Sequence, residues 1–158
     1  MQRALGFIDE HRENPFLAVI WFHAPHLPCV ASKEDVENYA AADPKLDGLH
    51  LNYYGCVTAL DRAVGKLRAR LRKLGVAKNT LVAFCSDNGP EGNQNAPGRQ
   101  GDFKGRKRSL YEGGVRVPSL LEWPARIKPG TSSEVATCTV DYFPTILEAV
   151  GVLSLIHI

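Results

Sequence analysis

The sequence predicts an α/β fold with a largely parallel sheet flanked by helices. Three observations carry that expectation: short apolar runs suited to buried strands, a long helical repeat after the first of them, and a chain order that alternates the two. Parallel neighbours need crossover connections, and strand, helix, strand, loop, strand, helix is an order that supplies them.

The first run, "FLAVIWF" at Phe16 to Phe22, is continuously apolar and rich in branched and aromatic residues, as befits a strand covered on both faces. It ends at His23-Ala24-Pro25-His26. A short helix is expected from Ser32, with Asp35 three positions on as an imperfect capping-box partner. Leu51, Tyr54, Val57, Leu60, Val64, Leu67, Leu71 and Leu74 recur at steps of three and four with Arg and Lys between them. That spacing predicts a long amphipathic helix, which Gly75 stops. "NTLVAFCS" follows as a second buried strand, and 88–105 is a Gly, Asn, Gln and Pro loop without apolar period. A loop of that length inside a compact domain is usually functional or disordered. "VPSLLEW" is a third short strand and "WPARIKPG" a turn-rich connection. A last helix, capped by Asp141, runs through Phe143, Ile146, Leu147 and Val150 and closes at Gly151. Residues 1–151 read as one partial domain. The apolar 152–158 is set apart as a tail, either a strand without its partner or residues foreign to the fold.

Composition excludes several classes. With 44% hydrophobic and 23% charged residues in 158, the chain is globular. A net charge of +2 is too mild to argue by itself for nucleic acid or an anionic membrane. Cys29, Cys56, Cys85 and Cys138 are widely spread without a CxxC pair, so free, mostly buried thiols are expected rather than a disulfide framework. The first residues lack the basic-then-apolar order of a signal peptide, and no apolar run approaches the roughly 20 residues of a membrane helix.

Two strand ends carry chemistry. Ligands of open α/β sheets sit beyond the carboxyl ends of strands, which is where His23/His26 and Asp87/Asn88 are expected to converge. Asp87 and Asn88 offer a charged and a neutral oxygen, the donor set of hard cations such as Ca²⁺ or Mg²⁺, with Gly89 leaving room beside the ion. Turn chemistry at a strand end explains the same tetrapeptide. His23 and His26 have three readings: a packed or solvated pair, a zinc pair, or donors to an anionic substrate. The loop "RQGDFKGRKRSLYEGGVRVP" gathers Arg99, Lys104, Arg106, Lys107, Arg108 and Arg116 among glycines. It suits a solvated face or nucleic-acid patch, but the lack of interleaved aromatics and the close-approach glycines favour an anion site.

Together "FHAPHLP", "LVAFCSDNGP", "KGRKRSLYEGGVRVP" and "TVDYFPTILEAVG", in order from about Asn14 to Gly151, resemble the sulfatases of the alkaline phosphatase superfamily. The resemblance implies an alkaline-phosphatase-like domain, of which this is the later part. It implies that Asp87 and Asn88 match the metal pair, usually holding Ca²⁺. It also implies that His26 contacts the sulfate ester with His23 in support, and that Lys107, four residues before Tyr111, binds the sulfate. Lys104 is the rival if the register slips. Glu112, Gly113, Gly114 and Arg116 look like the motif's frame, and Asp141 like a helix cap.

One departure is large. Sulfatases attack sulfur with a formylglycine made from the Cys of Cys-x-Pro-Ser-Arg, and no Cys here has that context; two further metal-binding aspartates near the start of the domain have no match either. Sulfuric ester hydrolysis is therefore expected of the parent enzyme and little or no activity of this chain alone. The expected partner is a sulfated small molecule or glycan, with no nucleic acid. The implied compartment of the parent is secreted, periplasmic or lysosomal. A phosphatase or phosphodiesterase of the same superfamily and a non-enzymatic anion or nucleic-acid binder are the rivals.

Overall fold

The computed structural model describes residues 1–152, so the expected tail lies, from 153 onward, outside the described residues. Three helices come first: α1 (Gln2–His11), α2 (Lys33–Ala42) and α3 (Gly48–Lys73). Helix α2 starts on Ser32, whose hydroxyl oxygen accepts the Asp35 N–H at 3.2 Å and donates to the Asp35 carboxylate at 2.8 Å. Aspartate stands at the position of Glu or Gln in a capping box, but takes its bond from the Ser32 hydroxyl and not from the Ser32 backbone N–H. Asp35 is buried and also pairs with Arg62 of α3; Arg62 first, and then Ser32, hold its carboxyl below the usual range. One carboxylate both starts α2 and ties it to α3.

Helix α3 forms where the apolar spacing predicts it and ends on a left-handed Gly75 (φ 75°). Gly75 N–H donates to Arg72 O at 3.0 Å and Val76 N–H to Leu71 O at 3.2 Å, the paired bonds of a Schellman end. Helix α1 has no counterpart among the sequence expectations. Only Ile8 of it is fully buried, and its anchor is the ion pair in which Arg70 Nε of α3 donates to Asp9 Oδ1 at 2.6 Å.

The sheet departs from the parallel arrangement expected. Among the described residues it consists of β1 (Val82–Cys85) and β2 (Ser119–Glu122), antiparallel, with Val82 opposite Glu122 and Cys85 opposite Ser119. Between them lies one helical turn, α4 (Glu112–Val115), rather than a crossover helix, and without a crossover the chain re-enters in the opposite direction. Phe16 to Phe22 is likewise not a doubly covered strand. It lies outside any ladder among the described residues, with Phe16, Ala18 and Ile20 half-buried while Leu17, Val19 and Trp21 are exposed, Trp21 at 92%. The alternation has the period of a strand with one face inward.

A 3₁₀ turn (Thr139–Asp141) leads into α5 (Tyr142–Ala149). Asp141 caps that turn, accepting Cys138 N–H at 2.7 Å, rather than α5 itself. Gly151 ends α5 as expected, with Val152 N–H donating to Leu147 O at 2.9 Å. The accessible surface of 12010 Å² compares with roughly 7,800 Å² for a compact monomer of this mass. Open apolar faces are part of the difference, among them Leu17, Val19 and Trp21 on one segment and Leu120 and Leu121 on β2. Cys85 and Cys138 are also exposed, against the expectation of mostly buried thiols. No described helix is long and apolar enough to cross a membrane.

Candidate active site

Beyond β1 the chain passes through Asp87, Asn88 and Gly89 and is fastened to α4. Gly89 N–H donates to Gly114 O at 2.8 Å, and a Cβ on Gly89 would stand 1.9 Å from Gly113 O. Glycine is required there by the approach of another backbone. Gly113 N–H donates in turn to Lys104 O at 2.8 Å, and a Cβ on Gly113 would stand 2.1 Å from Gly105 O. The strand-end motif and the glycine pair are therefore one packed unit.

That unit sets the direction of the basic loop. Arg106 is buried at its centre, its guanidinium donating to Gln100 Oε1 at 2.6 Å, Gly98 O at 2.8 Å and Glu91 O at 3.0 Å. Lys107 N–H donates to Pro90 O at 3.1 Å, which places Lys107 beside the residues that follow Asn88. Arg108 has a φ of 75°, the one non-glycine in the left-handed region among the described residues. Backbone strain of that kind clusters at functional sites.

Lys107 Nζ reaches His26 Nε2 at 3.3 Å, across 81 positions of sequence. His26 Nδ1 lies 2.7 Å from Leu27 O, and a carbonyl can only accept, so Nδ1 carries the proton and the Nε2 lone pair meets the ammonium. The His23 ring stands 5.3 Å from that of His26. Lys104 is elsewhere, its ammonium 4.0 Å over the Tyr111 ring. The structure thus brings His23, His26 and Lys107 together and leaves Lys104 out.

Asp87 is exposed and has no hydrogen bond among the described residues. Asn88 Nδ2 donates to Gly89 O at 2.9 Å, leaving its amide oxygen unused. Both are oxygen donors of the kind a hard cation takes, yet Ca²⁺ needs six to eight and these supply only part of a shell. No group of three or more His, Cys, Asp or Glu suited to a metal occurs among the described residues.

Glu91 is the residue that sequence reasoning missed. It accepts from Arg108 at 2.5 Å and Gly92 N–H at 3.2 Å, and lies 3.5 Å from Lys107 Nζ. The available signal was that Glu91 is the one charged residue of 88–98, directly before the six cations. The Arg108 guanidinium first, and then the Gly92 N–H, hold its carboxyl down at about 2 from an ordinary 4.5. A depressed carboxyl contributes stability that is complete above its unfolded value and is lost as pH falls through its folded value. The protection factor of the Lys107 amide is therefore expected to fall as pH drops from 4.5 to 2, and Arg108→Ala to return the Glu91 midpoint, read by carboxyl NMR, toward 4.5. A Glu91 midpoint unmoved by that substitution would contradict the bracket.

The remaining cations are also engaged within the chain. Arg99 donates to Gln94 O at 2.7 Å, and Arg116 sits 4.7 Å over the Phe103 ring.

A sequence model of the family described as Sulfatase matches residues 1–152. Steryl-sulfatase of Rattus norvegicus is 37% identical over 152 residues, covering 92% of this chain and 25% of that protein. N-acetylgalactosamine-6-sulfatase of Mus musculus is 34% identical over 154 residues, covering 95% and 28%. The chain spans about a quarter of the length of the curated relatives it matches. Among solved structures, Ps i-CgsB in complex with k-i-k-neocarrahexaose superposes with a TM-score of 0.87 at 32% identity, over 99% of this chain and 34% of that one. PsFucS1 sulfatase from Pseudoalteromonas sp. gives 0.81 at 26%, over 96% and 29%. The alkaline-phosphatase-like α/β class expected from the motifs holds.

Proposed function

Since the chain belongs to the sulfatase family, we propose that it forms the sulfate-gripping part of a sulfuric ester hydrolase, which splits a sulfate ester into an alcohol and sulfate. The observation that carries this reading is the 3.3 Å contact between the Lys107 ammonium and the His26 imidazole, brought together from distant segments. Lys107 offers three N–H groups to sulfate oxygens in place of the His26 nitrogen it now meets. His26 is held by the Leu27 carbonyl so that Nε2 faces the same anion, and a proton there is positioned to bind an oxygen or to pass to the departing alcohol. His23 supports the ring from behind. Glu91 and Arg108 keep the loop that carries Lys107 in place.

Asp87 and Asn88 are the residues that would hold Ca²⁺, or Mg²⁺ in its place. A cation there supplies positive charge against the ester oxygens. The nucleophile, a formylglycine in enzymes of this family, has no Cys-x-Pro-Ser-Arg precursor in this sequence, so the chain by itself has little or no turnover. The substrate class is a sulfated small molecule or glycan. Sugar recognition is supported by the neighbour solved with k-i-k-neocarrahexaose and by the N-acetylgalactosamine-6-sulfatase relative. The compartment proposed for the parent enzyme is secreted, periplasmic or lysosomal.

The test is titration of the full chain with inorganic sulfate and with 4-nitrophenyl sulfate in the presence of Ca²⁺, following the His26 ring nitrogens by NMR. Saturable movement of Nε2, without release of 4-nitrophenol, is the expected result. Unsaturable shifts spread over the exposed arginines, with Nε2 still, would end the proposal.

A further inference from the structure

We propose that Cys29 and Cys56 join in an intrachain disulfide that fastens the His26 turn to α3. Segment 29–31 lies directly on one turn of that helix. Asn52 Oδ1 accepts the Ala31 N–H at 3.0 Å, and a Cβ on Gly55 would stand 2.5 Å from Ala31 Cβ, so the two segments are in contact there. Cys29 is two residues before Ala31, and Cys56 is the residue after Gly55. The Cys56 side chain is buried at 7% exposure, and the half-buried Cys29 thiol donates to Pro25 O at 3.0 Å. Burial, followed by the neighbouring Cys56, pushes the Cys29 thiol up. The other two cysteines are exposed, and Cys85 neighbours the Tyr142 hydroxyl instead.

The oxidant is a small-molecule disulfide of the oxidised-glutathione class. The Cys29 thiolate attacks one of its sulfurs, forming a mixed disulfide and expelling one small thiolate. The Cys56 thiolate then attacks the Cys29 sulfur and expels the second. The two cysteine protons end on the two small thiols released, and both cysteines are oxidised while the small disulfide is reduced. The crosslink closes residues 29–56 and holds the 23–29 turn, with His23 and His26 on it, against the helix. Loop closure of this kind acts chiefly by restricting the unfolded chain.

The experiment is incubation of the full chain, without denaturant, with oxidised glutathione, followed by thiol counting and peptide mapping. Four free thiols are expected to fall to two, with one peptide joining positions 29 and 56. Cys29→Ser and Cys56→Ser should each abolish that peptide, and the first keeps the buried position intact if the second fails to fold. Persistence of four thiols, a dominant link through Cys85 or Cys138, or a mixture of pairs would overturn the assignment.

Discussion

Replacing Lys107 by methionine is expected to weaken binding of 4-nitrophenyl sulfate by roughly 10- to 100-fold, because a hydrogen bond to a charged group is worth about 1.5–3 kcal/mol. Methionine keeps the length and apolar stem of the side chain, so the loss reports the ammonium alone. The same substitution at Lys104 should change affinity by less than about twofold, since that ammonium already rests on the Tyr111 ring, where an exposed cation–π contact is worth only about 0.5–1 kcal/mol. Titration calorimetry or NMR on both variants decides between the two lysines. If Lys104→Met lost affinity and Lys107→Met did not, the register of the site would be wrong.

Gly113→Ala is expected to cost about 3 kcal/mol or more and to detach the basic loop from the end of β1. The new methyl would meet Gly105 O at 2.1 Å and Lys104 O at 2.7 Å, both backbone atoms that no rotamer change can move aside. It would also break the Gly113 to Lys104 bond of 2.8 Å that sets the loop. The urea midpoint should fall, and amide protection at Lys107 should be lost with it. Gly65→Ala provides the contrast. That residue lies inside α3 with nothing within 4 Å of its would-be Cβ, so alanine should stabilise by about 0.5–1 kcal/mol. Equal effects at the two glycines would remove the packing argument.

Much of the fold was legible because its signals are local. The apolar steps from Leu51 to Leu74, the stop at Gly75 and the Ser32–Asp35 cap each act within one or two turns of chain, and each stands in the structure. Helix α1 was not legible, because its inner face amounts to Ile8 and an ion pair to Arg70, a partner 61 positions away. The strand expectation at Phe16 to Phe22 failed for a related reason. An apolar run says that a segment prefers cover, but not which ladder it enters.

The site divides along the same line. Sequence alone determined the inventory: histidines after one apolar run, Asp-Asn-Gly after another, a basic loop ending in paired glycines, and the order that marks the family. Only the tertiary structure chose Lys107 over Lys104 as the partner of His26, brought in Glu91, ran β2 antiparallel to β1, and showed that Gly89 exists for the Gly113 carbonyl. Those outcomes depend on the path of a loop whose contacts lie many residues apart, and short-range preferences cannot encode which distant backbone arrives.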